Sequence, residues 1–287
     1  MNHGDKKMIR HDRNLGRRRL TVAAMVVLIV AGGGRAFAQA PPDYSINKEF
    51  LKGFGRDFAV VVTSPLHWHH ADLGRFALVS GVTLTAVAFD ERINDWVQVN
   101  RTDYSADVSS VSRKFGDGAY LLGFSAALYA AGEIWHSRGM RRTALLSAES
   151  LATASVIVWV TKSVVGRARP RTGHGYLEFR PFTINYDYNS FPSGHVAAAF
   201  AVATTLAEQT RGVAVDILAY SMATLVGLSR IHDSQHWASS VVAAGALGYF
   251  VAKKIGGRHR STEPSKTLDM GFALGHDRLA LTLTYVF

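Results

Sequence analysis

Seven apolar segments with helical periodicity dominate this chain and restrict its fold more than any other feature. Apolar residues recur every three to four positions in residues 46–62, 72–90, 117–136, 142–165, 194–209, 214–229 and 236–254. Proline, glycine or asparagine interrupts the pattern between many of these segments. Helices of this length bury their apolar faces against one another around a shared core. The sequence therefore predicts an all-α helical bundle.

The C-terminal tail has a period of two instead. Apolar residues occupy alternate positions near its end, at Leu279, Leu281, Leu283, Tyr285 and Phe287. Met270 to Leu274 can pair with this run across Gly275 to Asp277, as in a β hairpin. We expect a helical domain over residues 39–257 and a tail over residues 258–287 with a small hairpin. That hairpin covers the helices or, in the alternative, docks on a membrane or an assembly factor.

The N-terminus has the layout of a secretory signal peptide. Residues 1–19 are basic, residues 20–34 are uncharged and largely apolar, and Ala36-Phe37-Ala38 is a small-x-small cleavage site. The apolar stretch is shorter than the roughly twenty residues of a membrane span. We expect cleavage after Ala38 and a mature protein in the periplasm or cell envelope. A twin-arginine signal at Arg17 to Arg19 is the weaker alternative.

Most of the formal net charge of +10 lies in that leader. Residues 1–38 hold eight Lys and Arg against two Asp, so their removal leaves a charge of +4. A charge of this size slightly favours a small anion or a lipid headgroup and gives no reason to expect nucleic acid. The chain has no cysteine, which excludes disulfides, thiolate metal sites and cysteine nucleophiles.

Charges within the predicted helices favour a water-soluble or peripherally attached bundle over a membrane-spanning one. The longest run without a charged residue or a histidine after residue 38 is Trp237 to Ala252, and Glu149 and Asp216 interrupt two other helices. A span needs about twenty apolar residues, and a charge inside it is costly. Helices rich in small residues, such as residues 237–250, suit either environment, so membrane insertion stays open.

The segment His67-Trp68-His69-His70 has the composition of a metal site but not its spacing. A His-x-His-His pattern does not place three imidazoles on one helical face, and it follows a Ser-Pro break. We expect a surface or interfacial cluster and no bound metal.

Three short motifs carry the chemistry. They are Lys162-x6-Arg169-Pro170, Pro192-Ser193-Gly194-His195 and Ser229-Arg230-x5-His236. In the second motif, Ser193 can cap the following helix, and Gly194 lets an anion approach the free N–H groups at the positive helix end. Lys162 and Arg169 are near two turns apart, so both can project from one helix face. This arrangement suits a phosphate.

Together these motifs resemble the signature of the type 2 phosphatidic acid phosphatase and vanadium haloperoxidase superfamily. The resemblance covers residues 162–240 and implies a helical bundle of that kind. It also implies that His236 is the nucleophile that takes the phosphoryl group and that His195 is the general acid that protonates the leaving oxygen. The phosphate would be bound by Lys162, Arg169, Ser193, Gly194 and Arg230. Because these groups supply the positive charge, no metal ion or cofactor is then required.

One position departs from that signature. The family's third motif ends in His-x3-Asp, whereas this chain has Ser240 at the last position. The Ser240 hydroxyl can accept the second ring N–H of His236 one helical turn away but brings no charge. Loss of the corresponding aspartate in serine proteases costs about 10⁴ in rate, so we expect slower turnover. Asp233 either compensates in part or is solvated, and Arg167 and Arg171 are expected on a solvated surface.

The sequence predicts an exported, metal-independent phosphatase that hydrolyses a phosphomonoester or a lipid phosphate or diphosphate through a phosphohistidine. Two alternatives remain: a vanadate-dependent haloperoxidase, and a phosphate- or lipid-headgroup-binding protein that has lost catalysis through Ser240. The linker Thr172 to Ser190 contains five aromatic residues. It is expected at the mouth of the pocket, where it meets an acyl or prenyl chain or packs down as a lid.

Overall fold

The structure, a computed structural model, describes residues 44–210, 212–259, 267–275 and 278–286. The expected signal peptide and its cleavage site lie outside these ranges. Within them the chain forms the helices α1 (Lys48–Thr63), α2 (His70–Val99), α3 (Asp103–Ser112), α4 (Gly118–Ile134), α5 (Arg138–Val165), α6 (Gly194–Gln209), α7 (Val213–His232) and α8 (Ala238–Arg258). The predicted all-α helical bundle is confirmed.

Two helices depart most from the sequence prediction. The helix α2 continues nine residues beyond the predicted end at residue 90, to Val99. The helix α3 was not predicted, because its sequence is too rich in serine to show an apolar period. Its first turn is fixed instead by a reciprocal cap, in which Thr102 and Ser105 each accept a hydrogen bond from the other's backbone N–H. Local capping thus starts a helix that hydrophobic periodicity does not reveal.

The helix α6 lies at the centre of the bundle. Eleven of its sixteen residues are buried, and most of them are alanine or valine. Small side chains let α8 approach so closely that a Cβ on Gly248 would lie 2.2 Å from the carbonyl oxygen of Ala197. Only glycine fits at this crossing. The contact fixes the N-terminal half of α6 against α8.

Two strands follow the helices. Strand β1 (Thr267–Gly275) pairs antiparallel with β2 (Arg278–Val286), with Thr267 opposite Val286 and Gly275 opposite Arg278. They fall in the same stretch as the alternating sequence pattern, and the fold class rests on the helices alone.

Three helices, α2, α5 and α7, are long and apolar enough to cross a membrane. The most apolar window of α2 is wholly unburied, and Leu78 and Leu84 on this helix are 64% and 69% exposed. Glu149, one of the two charges that argued against spans, is 2% exposed, and Asp90 in α2 is 0% exposed, so neither carboxylate faces outward. Run length in the sequence therefore does not show how apolar the outward face of α2 is, since Asp90 at the end of its apolar run points into the protein.

Candidate active site

The three motifs meet at one end of the bundle. Lys162 lies in the last turn of α5, Arg230 in the last turn of α7, and Ser193 directly before α6. The backbone N–H of Ser193 donates to the carbonyl of Ser240 at 3.2 Å. A Cβ on Gly194 would lie 3.9 Å from Lys162 Nζ. The first and second motifs therefore face each other across a short gap.

The chain segment after α5 is held by the linker that follows it. The helix ends at Gly166, which has φ 58°, and a Cβ there would lie 1.7 Å from the Arg180 carbonyl oxygen. Ala168 and Arg169 then donate their N–H groups to the carbonyls of Glu178 and Asp187 at 2.9 Å. Glycine at this turn thus lets the linker fold back along residues 166–169 and fix the direction of Arg169.

His236 is buried, with 3% exposure, and its ring is oriented by the backbone. Its Nδ1 lies 2.6 Å from the Ser190 carbonyl oxygen, so Nδ1 carries the proton and Nε2 keeps its lone pair. Burial and the positive charges of Lys162 and Arg169 hold the pKa of His236 well below its usual value. The imidazole is therefore neutral and nucleophilic at physiological pH.

His195 is also neutral before a substrate binds. Burial and the positive charges of Arg230, Lys162 and Arg169 lower the pKa of His195 to about 4, against the opposing effect of Asp117. A phosphate bound among these cations would cancel much of their charge and favour protonation. The site thus suits a general acid that gains its proton together with the anionic substrate.

Two buried guanidinium groups are fixed by their own partners. Arg169 donates from Nε to the Tyr186 carbonyl at 2.9 Å and from Nη1 to Gln235 Oε1 at 2.7 Å. Arg230 donates from Nη2 to Asp233 Oδ2 at 2.7 Å. Cations oriented in advance stabilise a phosphoryl group without reorganisation during the reaction.

Ser193 differs from the capping role that the sequence suggested. It stands at the N-cap position of α6, yet its side chain makes no capping hydrogen bond. Its Oγ is buried and has no hydrogen-bond partner in the part of the chain that the structure describes. A buried hydroxyl without a partner is costly, and a phosphate oxygen would satisfy it.

Ser240 does not hold the His236 ring, contrary to the sequence expectation. The ring uses the Ser190 carbonyl instead. The Ser240 hydroxyl lies 3.5 Å from Arg167 Nη1. His236 therefore has a partner for its ring N–H although no aspartate stands at position 240. That partner is a neutral backbone carbonyl.

Arg167, expected on a solvated surface, is 2% exposed, and this expectation was wrong. Its Nη2 lies 2.8 Å from Asp90 Oδ2, and its Nη1 lies 2.7 Å from Ser239 Oγ. Asp90 Oδ1 accepts the backbone N–H of Ser239 in the first turn of α8 at 2.9 Å. This buried ion pair fixes the start of α8, two residues after His236. A lone aspartate in the apolar run of α2 was the one sequence signal for it.

Asp233 is neither solvated nor a partner of His236 among the described residues. It accepts hydrogen bonds from Ser109 Oγ at 2.7 Å and from Arg230, and it contacts His232 Nδ1 at 3.2 Å. Burial raises the pKa of Asp233, but these hydrogen bonds and nearby charges outweigh burial and lower it. Asp233 therefore acts on the site by orienting Arg230. Arg171, in contrast, pairs with Asp187 and is 38% exposed, as expected for a surface residue.

The linker exposes apolar side chains beside the site. Phe182 and Ile184 are 83% and 88% exposed, whereas Tyr188 is 2% exposed. The ring of Tyr186 lies under the Arg169 guanidinium at 4.0 Å. One part of the linker thus builds the pocket wall, and another presents an apolar tip to the surroundings.

Residues 143–255, which hold all three motifs, match the family model described as the PAP2 superfamily. This match agrees with the superfamily resemblance that the three motifs carry. A lipid A 1-phosphatase of Rhizobium etli is 27% identical over 206 residues, which span 64% of this chain and 82% of that protein. A lipid A 1-phosphatase of Porphyromonas gingivalis is 42% identical over 67 residues, which span 23% of this chain and 15% of that protein. A solved PAP2 type phosphatidylglycerolphosphate phosphatase of Bacillus subtilis is 20% identical, with a TM-score of 0.47, and covers 73% of this chain and 94% of its own.

Replacing Gly194 with alanine should separate phosphate binding from folding. The added Cβ would lie 3.7 Å from Val158 Cγ1 and 3.9 Å from Lys162 Nζ, which are ordinary contacts. The free energy of unfolding should change by less than about 1 kcal/mol. The value of kcat/KM should fall about 10- to 100-fold, because the methyl group keeps the phosphate from the helix N–H groups. Gly123→Ala in α4 is the control, because a Cβ there meets nothing within 4 Å. Equal values of kcat/KM in the two variants would contradict a phosphate-binding role for Gly194.

Acid should destabilise the protein partly through His195. Above pH 6.5 this residue is neutral in both folded and unfolded chains, whereas between pH 6.5 and about 4 only the unfolded chain takes up the proton. The free energy of unfolding should therefore fall by about 2 kcal/mol from this group between pH 7.5 and pH 5. Unfolding curves at both pH values for wild type and His195→Gln test this, since the variant should lose less stability. An equal loss in both would contradict it.

Proposed function

We propose that this protein is a lipid phosphate phosphatase that works through a phosphohistidine at His236. The main support is the neutral, buried imidazole of His236 beside the cations Lys162 and Arg169. Its Nε2 would attack phosphorus and form the N–P bond while the bond to the leaving oxygen breaks. His195 would donate a proton to that oxygen, then take one from the water that cleaves the N–P bond. Phosphate leaves, His195 releases the proton that it took from water, and both imidazoles return to their neutral starting states.

The lipid part of this proposal is supported by the surfaces around the pocket. The exposed Phe182 and Ile184 flank the site on the linker, and α2, α5 and α7 can cross a membrane by length and composition. We place the bundle in a membrane of the cell envelope, with the phosphate pocket at the water interface. An acyl chain of the substrate then lies along the apolar linker tip while the phosphate enters the cationic pocket. Lipid A 1-phosphatases among the relatives favour a lipid A 1-phosphate as substrate.

A substrate panel tests the function. Purified protein in detergent would be given lipid A 1-phosphate, phosphatidate, undecaprenyl diphosphate and p-nitrophenyl phosphate, each with and without EDTA, and released phosphate would be measured. We expect the lipid monophosphates to have the highest kcat/KM, and EDTA to leave the initial rate unchanged. No phosphate release from any of the four, or release that requires an added metal, would contradict the proposal.

A second candidate is a lipid-phosphate-binding protein without turnover, which Ser240 in place of the family's aspartate favours. The two candidates differ in one intermediate. Brief exposure to a ³²P-labelled lipid phosphate followed by denaturation in alkali should leave label on wild type and none on His236→Asn. Binding of the lipid with neither label nor released phosphate would favour the binding protein.

A further inference from the structure

A second polar cluster lies far from the phosphate pocket, beside the first half of α5. It contains Asp57 of α1, Glu149 of α5 and His259, which follows α8. Glu149 precedes Lys162 by thirteen residues on α5, which is about 20 Å along the helix axis. One ligand atom from each of the three residues lies within 4.8 Å of the others. Neither the motifs nor the proposed reaction uses this cluster.

Glu149 is the residue that calls for an explanation. It is 2% exposed, and neither of its carboxylate oxygens makes a hydrogen bond of ordinary geometry among the described residues, although the Asp57 carboxylate lies against it. Buried carboxylates are normally paired, hydrogen-bonded or bound to a metal, because burial of an isolated charge is costly. The carboxylate of Glu149 is directed toward Asp57 and His259, with which it shares the 4.8 Å group.

The neighbouring groups orient the other two side chains. His259 Nε2 lies 2.5 Å from Asp57 Oδ2, while His259 Nδ1 lies 3.2 Å from the Tyr44 hydroxyl. Histidine ligands of metals commonly have this arrangement, in which an outer partner on one nitrogen leaves the other facing the site. Arg258 contacts Asp57 Oδ1 and not Oδ2. One oxygen of Asp57 therefore remains on the side of Glu149 and His259.

We propose that Asp57, Glu149 and His259 form a binding site for a divalent cation. Ligands on one cation lie at most two bond lengths apart, about 4 to 5 Å, which agrees with the spacing of this cluster. Two carboxylates with one imidazole suit Zn²⁺ or Mn²⁺ better than Mg²⁺. The cation would displace the proton between Asp57 and His259 and satisfy Glu149. It would connect α1, α5 and the end of α8, and thereby stabilise the folded chain.

The test uses the full chain in detergent, with any affinity tag removed and bound metal stripped by chelation. Calorimetry and thermal unfolding would follow the addition of Zn²⁺, Mn²⁺ or Mg²⁺. We expect one Zn²⁺ or Mn²⁺ per chain, with a rise in the unfolding midpoint. Glu149→Gln, which keeps the shape and removes the charge, should bind the cation at least tenfold more weakly. Glu49→Gln on the exposed face of α1 is the matched control and should bind as wild type does.

Two results would overturn the site. In the first, wild type shows no saturable binding of any of the three cations, and metal-free Glu149→Gln has a higher thermal unfolding midpoint than metal-free wild type. This result would mean that the three side chains share a proton and bind no cation. In the second, cation binding persists in Glu149→Gln but disappears when His69 and His70 are replaced by glutamine. This result would place the bound cation at the exposed histidine segment. Phosphate release from p-nitrophenyl phosphate reports separately on the catalytic pocket. Its loss would count against the proposed function and leave the cation site standing.

Discussion

Replacing His236 with asparagine should lower kcat for phosphate release by about 10⁴-fold or more, with little loss of folding. Loss of a nucleophile has an effect of this size, up to about 10⁶, in well-characterised hydrolases. Asparagine can still donate to the Ser190 carbonyl, which His236 Nδ1 contacts at 2.6 Å, but it offers no ring nitrogen to phosphorus. Single-turnover measurement of released phosphate would report the loss of activity, and thermal unfolding would show that the variant is still folded.

His136→Asn is the matched control for that substitution. His136 has φ 52°, which asparagine tolerates, and it lies between α4 and α5, at the opposite end of α5 from Lys162. This variant should keep its kcat within about twofold. A His236→Asn protein that is folded and within tenfold of wild type would remove His236 from the reaction.

The second large effect should come from the buried pair of Asp90 and Arg167. Asp90→Asn should lower the free energy of unfolding by about 3 to 5 kcal/mol, because it leaves a buried guanidinium without its charge partner. The pair also fixes Ser239 at the start of α8, so kcat should fall as His236 loses its position. Chemical unfolding and steady-state kinetics would report the two effects.

Ser240 supplies a direct rescue of that variant. Its Oγ lies 3.5 Å from Arg167 Nη1, so Ser240→Asp would return a carboxylate to the guanidinium. The double variant Asp90→Asn, Ser240→Asp should recover at least half of the lost unfolding free energy. Ser240→Asp alone should not raise the rate, because the His236 ring has the Ser190 carbonyl as its partner. A tenfold faster single variant would show that position 240 limits the reaction through His236 after all.

The sequence predicted the bundle and the motif residues because both depend on local patterns. Apolar periodicity located seven of the helices, and the resemblance of the three motifs to the superfamily signature implied that Lys162, Arg169 and Arg230 lie near two imidazoles. The role of Arg167 could not be predicted in this way. Its partner Asp90 lies 77 residues earlier on α2, and only the packing of α2 against α8 brings the two together. The ring partner of His236 is a backbone carbonyl, which no side-chain motif reports.

The apolar outward face of α2 could not be predicted for a related physical reason. Run length treats each charged residue as a cost to a span, whereas the bundle turns Asp90 and Glu149 inward. The outward face of α2 is left apolar. Which way a helix faces is a tertiary property, so hydropathy along the chain cannot supply it.

The crossing at Gly248 has a mechanical consequence. His195 lies on α6 and His236 lies two residues before α8, and the two helices touch there through backbone atoms without an intervening side chain. The backbone segments that carry the acid and the nucleophile are therefore held together by a contact that repacking of side chains between α6 and α8 cannot loosen. Changes in the linker of residues 172–190 can therefore alter the mouth of the pocket while the packing of α6 against α8 stays the same.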